Sequence, residues 1–177
     1  MTKSFNDHLF YINACLEARE WVGSRSPREA WEQCEQPDWL FWYLGKVQAD
    51  QKLVVRAACA CARLALAFVP AGETRPLRCI EVTEAWTRGK ASIEEVLEAQ
   101  RGAADAACED ASAYATYAAE AAEAAEDAYT YAYTYATYAT YATYASSETT
   151  APVTRADMRR QCCDAIRATI KLDRSFG

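Results

Sequence analysis

The sequence predicts an all-α fold, a single-domain multi-helix bundle over residues 1–177 that contains a long Ala/Tyr-rich helical region at 113–146. Three observations predict it. Ser-x-x-acid boxes recur ahead of apolar runs, the pattern that starts helices. The apolar residues after them fall at helical spacing. The third observation is composition: alanine dominates the long tract, and alanine is the strongest helix former. Six glycines and five prolines leave little material for linkers. A chain of 177 residues is long enough to bury a core as one domain. Counting caps and stops gives roughly seven to nine helices and no sheet.

Ser4 with Asp7 forms the first box, over a short N-terminal segment. Asn13 is the expected cap of the next helix, with Cys15, Ala18, Trp21 and Val22 on one face and a stop at Gly23–Arg25. Ser26-Pro27-Arg28-Glu29 is a strong start: Ser26 caps, Pro27 suits the first helical position, and Glu29 reaches back. Gln36-Pro37-Asp38 restarts the chain, with Asp38 as cap or as partner of an indole N–H or a ligand. The densest apolar run follows, Trp39 to Leu44, and its rings are large enough to anchor a core. Trp31, Trp39, Trp42 and Trp86 are the expected buried tryptophans.

Asp50 opens a helix with Leu53, Ala57, Cys61, Leu64 and Phe68 as its stripe, stopped by Pro70. Arg56 and Arg63 share a face of it. They are either solvated arginines, or partners of the acidic tract, or a clamp for a phosphate or carboxylate. Pro76 opens a further helix through Leu77, Ile80, Thr83 and Trp86, closed by Gly89. Ser92 with Glu95 is another box, and its helix runs into the alanine tract. Unbroken to Ala145 it would reach about 80 Å, far beyond the ~16 Å radius of gyration of a compact chain this long. A break is expected near Glu126 to Tyr131. Ser146 to Val153 is a loop. Thr154 caps the last helix, whose inward stripe is Met158, Cys162, Ala165, Ile166 and Ile170.

Within Ala113–Ala145 every third position carries Tyr or Glu except Ala132, including Tyr114, Tyr117, Glu120, Glu123, Glu126, Tyr135, Tyr138 and Tyr141. Three steps turn an α-helix by about 300°, so this column drifts about 60° per repeat and cannot stay on one face. The tyrosines are therefore either core spacers or a surface for a partner. The alternation Tyr129, Tyr131, Tyr133, Tyr135 fits a strand instead. No Lys or Arg stands between Arg101 and Arg155, whereas Asp105, Glu109, Asp110, Glu120, Glu123, Glu126 and Asp127 do. That is a solvated acidic face or a surface that attracts a basic partner.

The net charge of −6 argues against nucleic acid as a partner. No apolar run of about 18 residues exists to cross a membrane, and the N-terminus lacks a signal-peptide core, so a cytoplasmic location is expected. The eight cysteines sit mostly in apolar helical patterns. Cys59 and Cys61 point about 200° apart, as adjacent Cys162 and Cys163 also diverge. Reduced, structural thiols follow, with no metal and no cofactor. His8 is the lone histidine, and no phosphate loop or nucleophile motif accompanies it, so no enzyme activity is expected.

The motif order SPREAWEQCEQPDWLFWYL, RAACACARLAL, RCIEVTEAWTRGKASIEEV, alanine-aromatic repeats and RRQCCDAIR resembles a family of helical bacterial and phage proteins labelled immunity proteins. The resemblance spans about Asn13 to Ile170, and departs in the Tyr-Thr character of the repeat's second half. It implies neutralisation of a toxin or defence activity and identifies no catalytic residue. Two functions follow. One is an immunity or inhibitor protein that binds a partner protein through Glu120, Glu123, Glu126, Tyr135, Tyr138 and Tyr141, with oligomerisation through the same tract an option. The alternative is a phage-type protein that sequesters an anionic small ligand, a nucleotide signal, by stacking on Trp39 and Trp42 and pairing with Arg56 and Arg63.

Overall fold

Ser4, Ser26 and Ser92 each act as their spacing requires. The Ser4 and Ser26 hydroxyls accept from the N3 amides while Asp7 and Glu29 accept from the cap amides. The Ser92 amide donates to Glu95, and the Glu95 amide to the Ser92 hydroxyl. In a computed structural model that describes residues 4–110 and 155–171, these starts open three of eight α-helices. The helices are α1 (Phe5–Tyr11), α2 (Leu16–Val22), α3 (Pro27–Gln33), α4 (Pro37–Lys46), α5 (Gln51–Ala65), α6 (Arg75–Thr87), α7 (Ile93–Asp110) and α8 (Arg155–Thr169). A 3-10 turn, Leu66–Phe68, ends α5 ahead of Pro70. The described residues contain no strand. The column of Glu120, Glu123, Glu126, Tyr135, Tyr138 and Tyr141, the expected helix break, the loop before Val153 and the Thr154 cap all lie outside them.

Helix α5 is the centre of the bundle. It packs on α6 and α8, α6 packs on α7, and α8 also touches α4. Its expected stripe was too narrow: Val54, Val55, Ala58, Cys59, Ala62 and Ala65 are buried as well as Ala57 and Cys61, while Leu53 and Leu64 are only part-buried. Covered on several sides, α5 uses alanine and cysteine where neighbours approach closely. At one such approach the Cys61 thiol lies 3.6 Å from the Cys162 carbonyl of α8. Met158, Cys162 and Ile166 of α8, and Ile170 just past its end, are buried as their spacing predicts; Ala165 is part-buried, and Cys163 joins the buried set.

Two starts differ from expectation. Asn13 does not cap α2. It takes a left-handed conformation, φ 62°, and α2 begins after Cys15, with no side-chain cap. The short connection from α1 needs a reversal at Asn13, which tolerates that backbone better than most residues. Asp38 is not the cap of α4 but lies in its first turn, behind Pro37. Trp31 is buried, but Trp39, Trp42 and Trp86 are only part-buried: Trp39 and Trp86 pack against the main core and Trp42 against a smaller cluster, each at its margin.

The apolar residues of α4 divide between two cores. Leu40, Phe41 and Leu44 belong to the main bundle. Trp42 and Tyr43 pack on a smaller cluster made by Leu9, Val22 and Ala30 of α1, α2 and α3. Trp21 touches both.

Candidate functional site

Between the two cores the four N-terminal helices leave a cavity of about 430 Å³. Its walls are aromatic: Trp21, Trp31, Trp39, Trp42, Tyr43 and Phe5. Trp21 and Trp39 meet with ring centroids 5.8 Å apart, tilted 58°. Phe5 meets Tyr43 edge-on at 5.7 Å. Indoles at such angles cannot fill the space between them, so the gap follows from helix placement and ring shape.

The frame around these rings is held by polar contacts to backbone. Asn6 of α1 donates to the Arg19 and Gly23 carbonyls of α2 at 2.9 and 3.2 Å. Arg25 donates to the Trp21 and Val22 carbonyls and, at 3.0 Å, to Gln33 of α3, while its guanidinium lies 4.7 Å from the Trp21 ring centroid. Lys46 lies 5.4 Å from the Trp42 centroid. At the far side, Arg167 of α8 donates to the Trp31 carbonyl at 2.8 Å and to the Cys34 carbonyl. It thereby closes the C-terminal end of α3, whose last carbonyls have no helical partner.

Two carboxylates, Asp38 and Glu17, line the cavity, and no Lys, Arg or His does. Burial pushes the Asp38 carboxyl up from its ordinary value, opposed by its own backbone N–H, by Arg159 and by the Trp39 N–H. The Cys34 thiol also lines the cavity. Burial pushes it up to about 11, so it is a neutral thiol at pH 7, hydrogen-bonded with the Gln36 carbonyl and amide at 3.4 Å each. Among the described residues no group of three or more His, Cys, Asp or Glu is placed to hold a metal ion.

One part of the cavity's lining comes from the α1–α2 connection and the first turn of α2. Asn13, Ala14, Cys15 and Glu17 belong to it, and around them in sequence stand Phe10, Tyr11 and Leu16, which are 65%, 82% and 62% exposed. These are the large exposed hydrophobic side chains of the described residues.

The expected ligand residues separate. Trp39 and Trp42 share the cavity. Arg56 and Arg63 lie elsewhere, on the solvent side of α5. Arg63 makes a two-pronged ion pair with Glu84 of α6, at 2.8 and 2.9 Å, and holds the Glu84 carboxyl below its usual range, with Arg88 and Arg56 adding to the effect. The pair thus serves the α5–α6 contact. Trp21, Trp31 and Tyr43 as cavity walls, and Arg25 and Arg167 as their supports, were missed by sequence reasoning. One signal was present: four of the five tryptophans lie between positions 21 and 42. Their convergence depends on three loops whose geometry no motif announces.

Comparison with protein-family models, with curated proteins and with solved structures finds no match. No described helix is long and apolar enough to cross a membrane.

Proposed function

We propose that this chain works by binding rather than by catalysis, as an immunity- or inhibitor-like protein that neutralises a toxin or defence activity by holding a partner protein. The holding surface we assign is the α1–α4 end. The observation that carries this is the exposure of Phe10, Tyr11 and Leu16 beside an aromatic cavity. Large apolar side chains left exposed close together in sequence are candidates for an interaction surface, and partner anchors fill pockets at the centres of interfaces. The acidic residues of the 113–146 tract would add attraction for a basic partner. Sequestering of a small ligand is a second reading, favoured by the cavity's volume, which falls within the range of about 300–1,000 Å³ typical of ligand sites.

The test is copurification of the full chain from producing cells, with both proteins and small molecules identified. The expected outcome is a protein that binds the purified chain stoichiometrically and loses at least about tenfold in affinity on Phe10→Asp with Leu16→Asp, as interface anchors do. A small molecule released by Trp39→Ala, with no protein bound, would make sequestering the function. A chain that retains neither loses the binding assignment.

A further inference from the structure

We infer that the cavity between α1, α2, α3 and α4 receives a cationic side chain, the guanidinium or ammonium of an arginine or lysine presented by the bound partner. The inference deepens the binding assignment and rests on it. Its first support is charge: Asp38 and Glu17 line the cavity and no basic residue does. The second is the wall. Indoles attract cations through the negative faces of their rings, and a desolvated site strengthens the attraction. Arg25 and Lys46 already use this contact, 4.7 and 5.4 Å from the centroids of Trp21 and Trp42. Neither cation is among the cavity's lining residues.

Asp38 is the residue that makes the site more than an apolar gap. Its carboxylate sits in the first turn of α4, half-buried among rings. Burial opposes its ionisation more strongly than its neighbours favour it. An incoming positive charge favours the carboxylate form there, whereas an anion would meet two acids at once. A purely apolar occupant would derive nothing from either acid. Arg159 of α8 lies near Asp38 and offsets part of its charge, but it does not line the cavity. The remaining acid, Glu17 of α2, is exposed and lines the same cavity, so it adds negative charge on the solvent side.

The test uses the full chain and three small probes of one shape: n-butylguanidinium, neutral n-butylurea and anionic butyrate. Binding is followed by tryptophan fluorescence and by the indole N–H resonances. The guanidinium should bind saturably and at least tenfold more tightly than the urea. Asp38→Asn should reduce that preference to about twofold, Glu17→Gln should reduce it partially, and Glu84→Gln, an acid remote from the cavity, should leave it unchanged. Circular dichroism of each variant checks folding, and Glu17→Gln at an exposed position serves if Asp38→Asn misfolds. Equal binding of the urea, tighter binding of butyrate, or a preference indifferent to both cavity acids would overturn the inference. These probes read the cavity alone. Loss of the copurifying protein with the probe preference intact would therefore strike the protein-partner assignment, and leave the cavity's charge selectivity standing for a free organic cation.

Discussion

Asp38 carries a cost that its neighbours only partly offset. An acid whose folded pKa is raised binds its proton more tightly in the folded chain than in the unfolded one. Stability contributed by that proton is complete below the unfolded value of about 3.9 and is lost as pH rises through the folded value. Above the folded value both states are ionised, and the folded state bears the full penalty of burying the charge. Asp38→Asn should therefore raise the denaturation midpoint at pH 7, and the difference from wild type should vanish below about pH 4. A lower midpoint for the variant at pH 7 would show that the hydrogen bonds to the α4 amides outweigh burial. A residue that stabilises the protein when removed and weakens cation binding at the same time is the usual mark of a site rather than of a core.

At the scale of elements, α3 shows how a short helix is kept in place. Seven residues are too few to be stable alone. The Ser26–Glu29 box satisfies its first amides, Pro27 presets its first turn, and Trp31 buries its inner face. Its C-terminal end depends on another helix: Arg167 of α8 bonds the Trp31 and Cys34 carbonyls. Removing that side chain leaves part-buried carbonyls without their charged donor. Arg167→Ala should cost about 2 kcal/mol, the range of hydrogen bonds to charged groups, and should shift the tryptophan emission because Trp31 walls the cavity. Urea denaturation and fluorescence of the variant check both. An unchanged emission spectrum together with an unchanged midpoint would mean that α3 holds its position without α8. The start of α3 was legible from four consecutive residues, because a capping box is a local device. Arg167 was not, since its partners lie more than 130 residues earlier in the chain.

Across the whole molecule, the bundle core is unusually rich in thiols held as small hydrophobes. Cys34, Cys59, Cys61, Cys79, Cys162 and Cys163 are buried, and Cys15 is exposed. Burial pushes the Cys79 thiol up to about 12 and raises those of Cys59 and Cys163 strongly. For Cys61, a neighbouring Cys162 contact and burial both raise it. Thiolates are the reacting species, so these groups should be inert while the protein is folded. In a Cys108→Ser background, an aromatic disulfide reagent should label one thiol rapidly, Cys15, and the other six only on unfolding. Rapid labelling of a second thiol would show that the core opens easily at that place. Helix α5, which carries Cys59 and Cys61, packs against both α6 and α8.

Local chemistry was what the sequence by itself determined. Caps, stops and helical spacing act between residues three or four apart, so Ser4, Ser26, Asp50, Ser92, Pro70 and Gly89 marked helix boundaries correctly, and the buried stripe of α8 followed from its period. What tertiary structure alone decided was which face of an apolar helix meets which neighbour. Helix α4 is apolar nearly all round, so its period could not say that Leu40, Phe41 and Leu44 would enter the main core, with Trp39 packed against it, while Trp42 and Tyr43 turned toward α1, α2 and α3. Nor could spacing along α5 reveal that Arg63 would be held by Glu84, 21 residues further on, rather than stand beside the indoles. The cavity and its charge exist only where four separate helices converge. Side chains that are distant in sequence become one surface there because the short loops between the helices fix the angles at which the indoles meet.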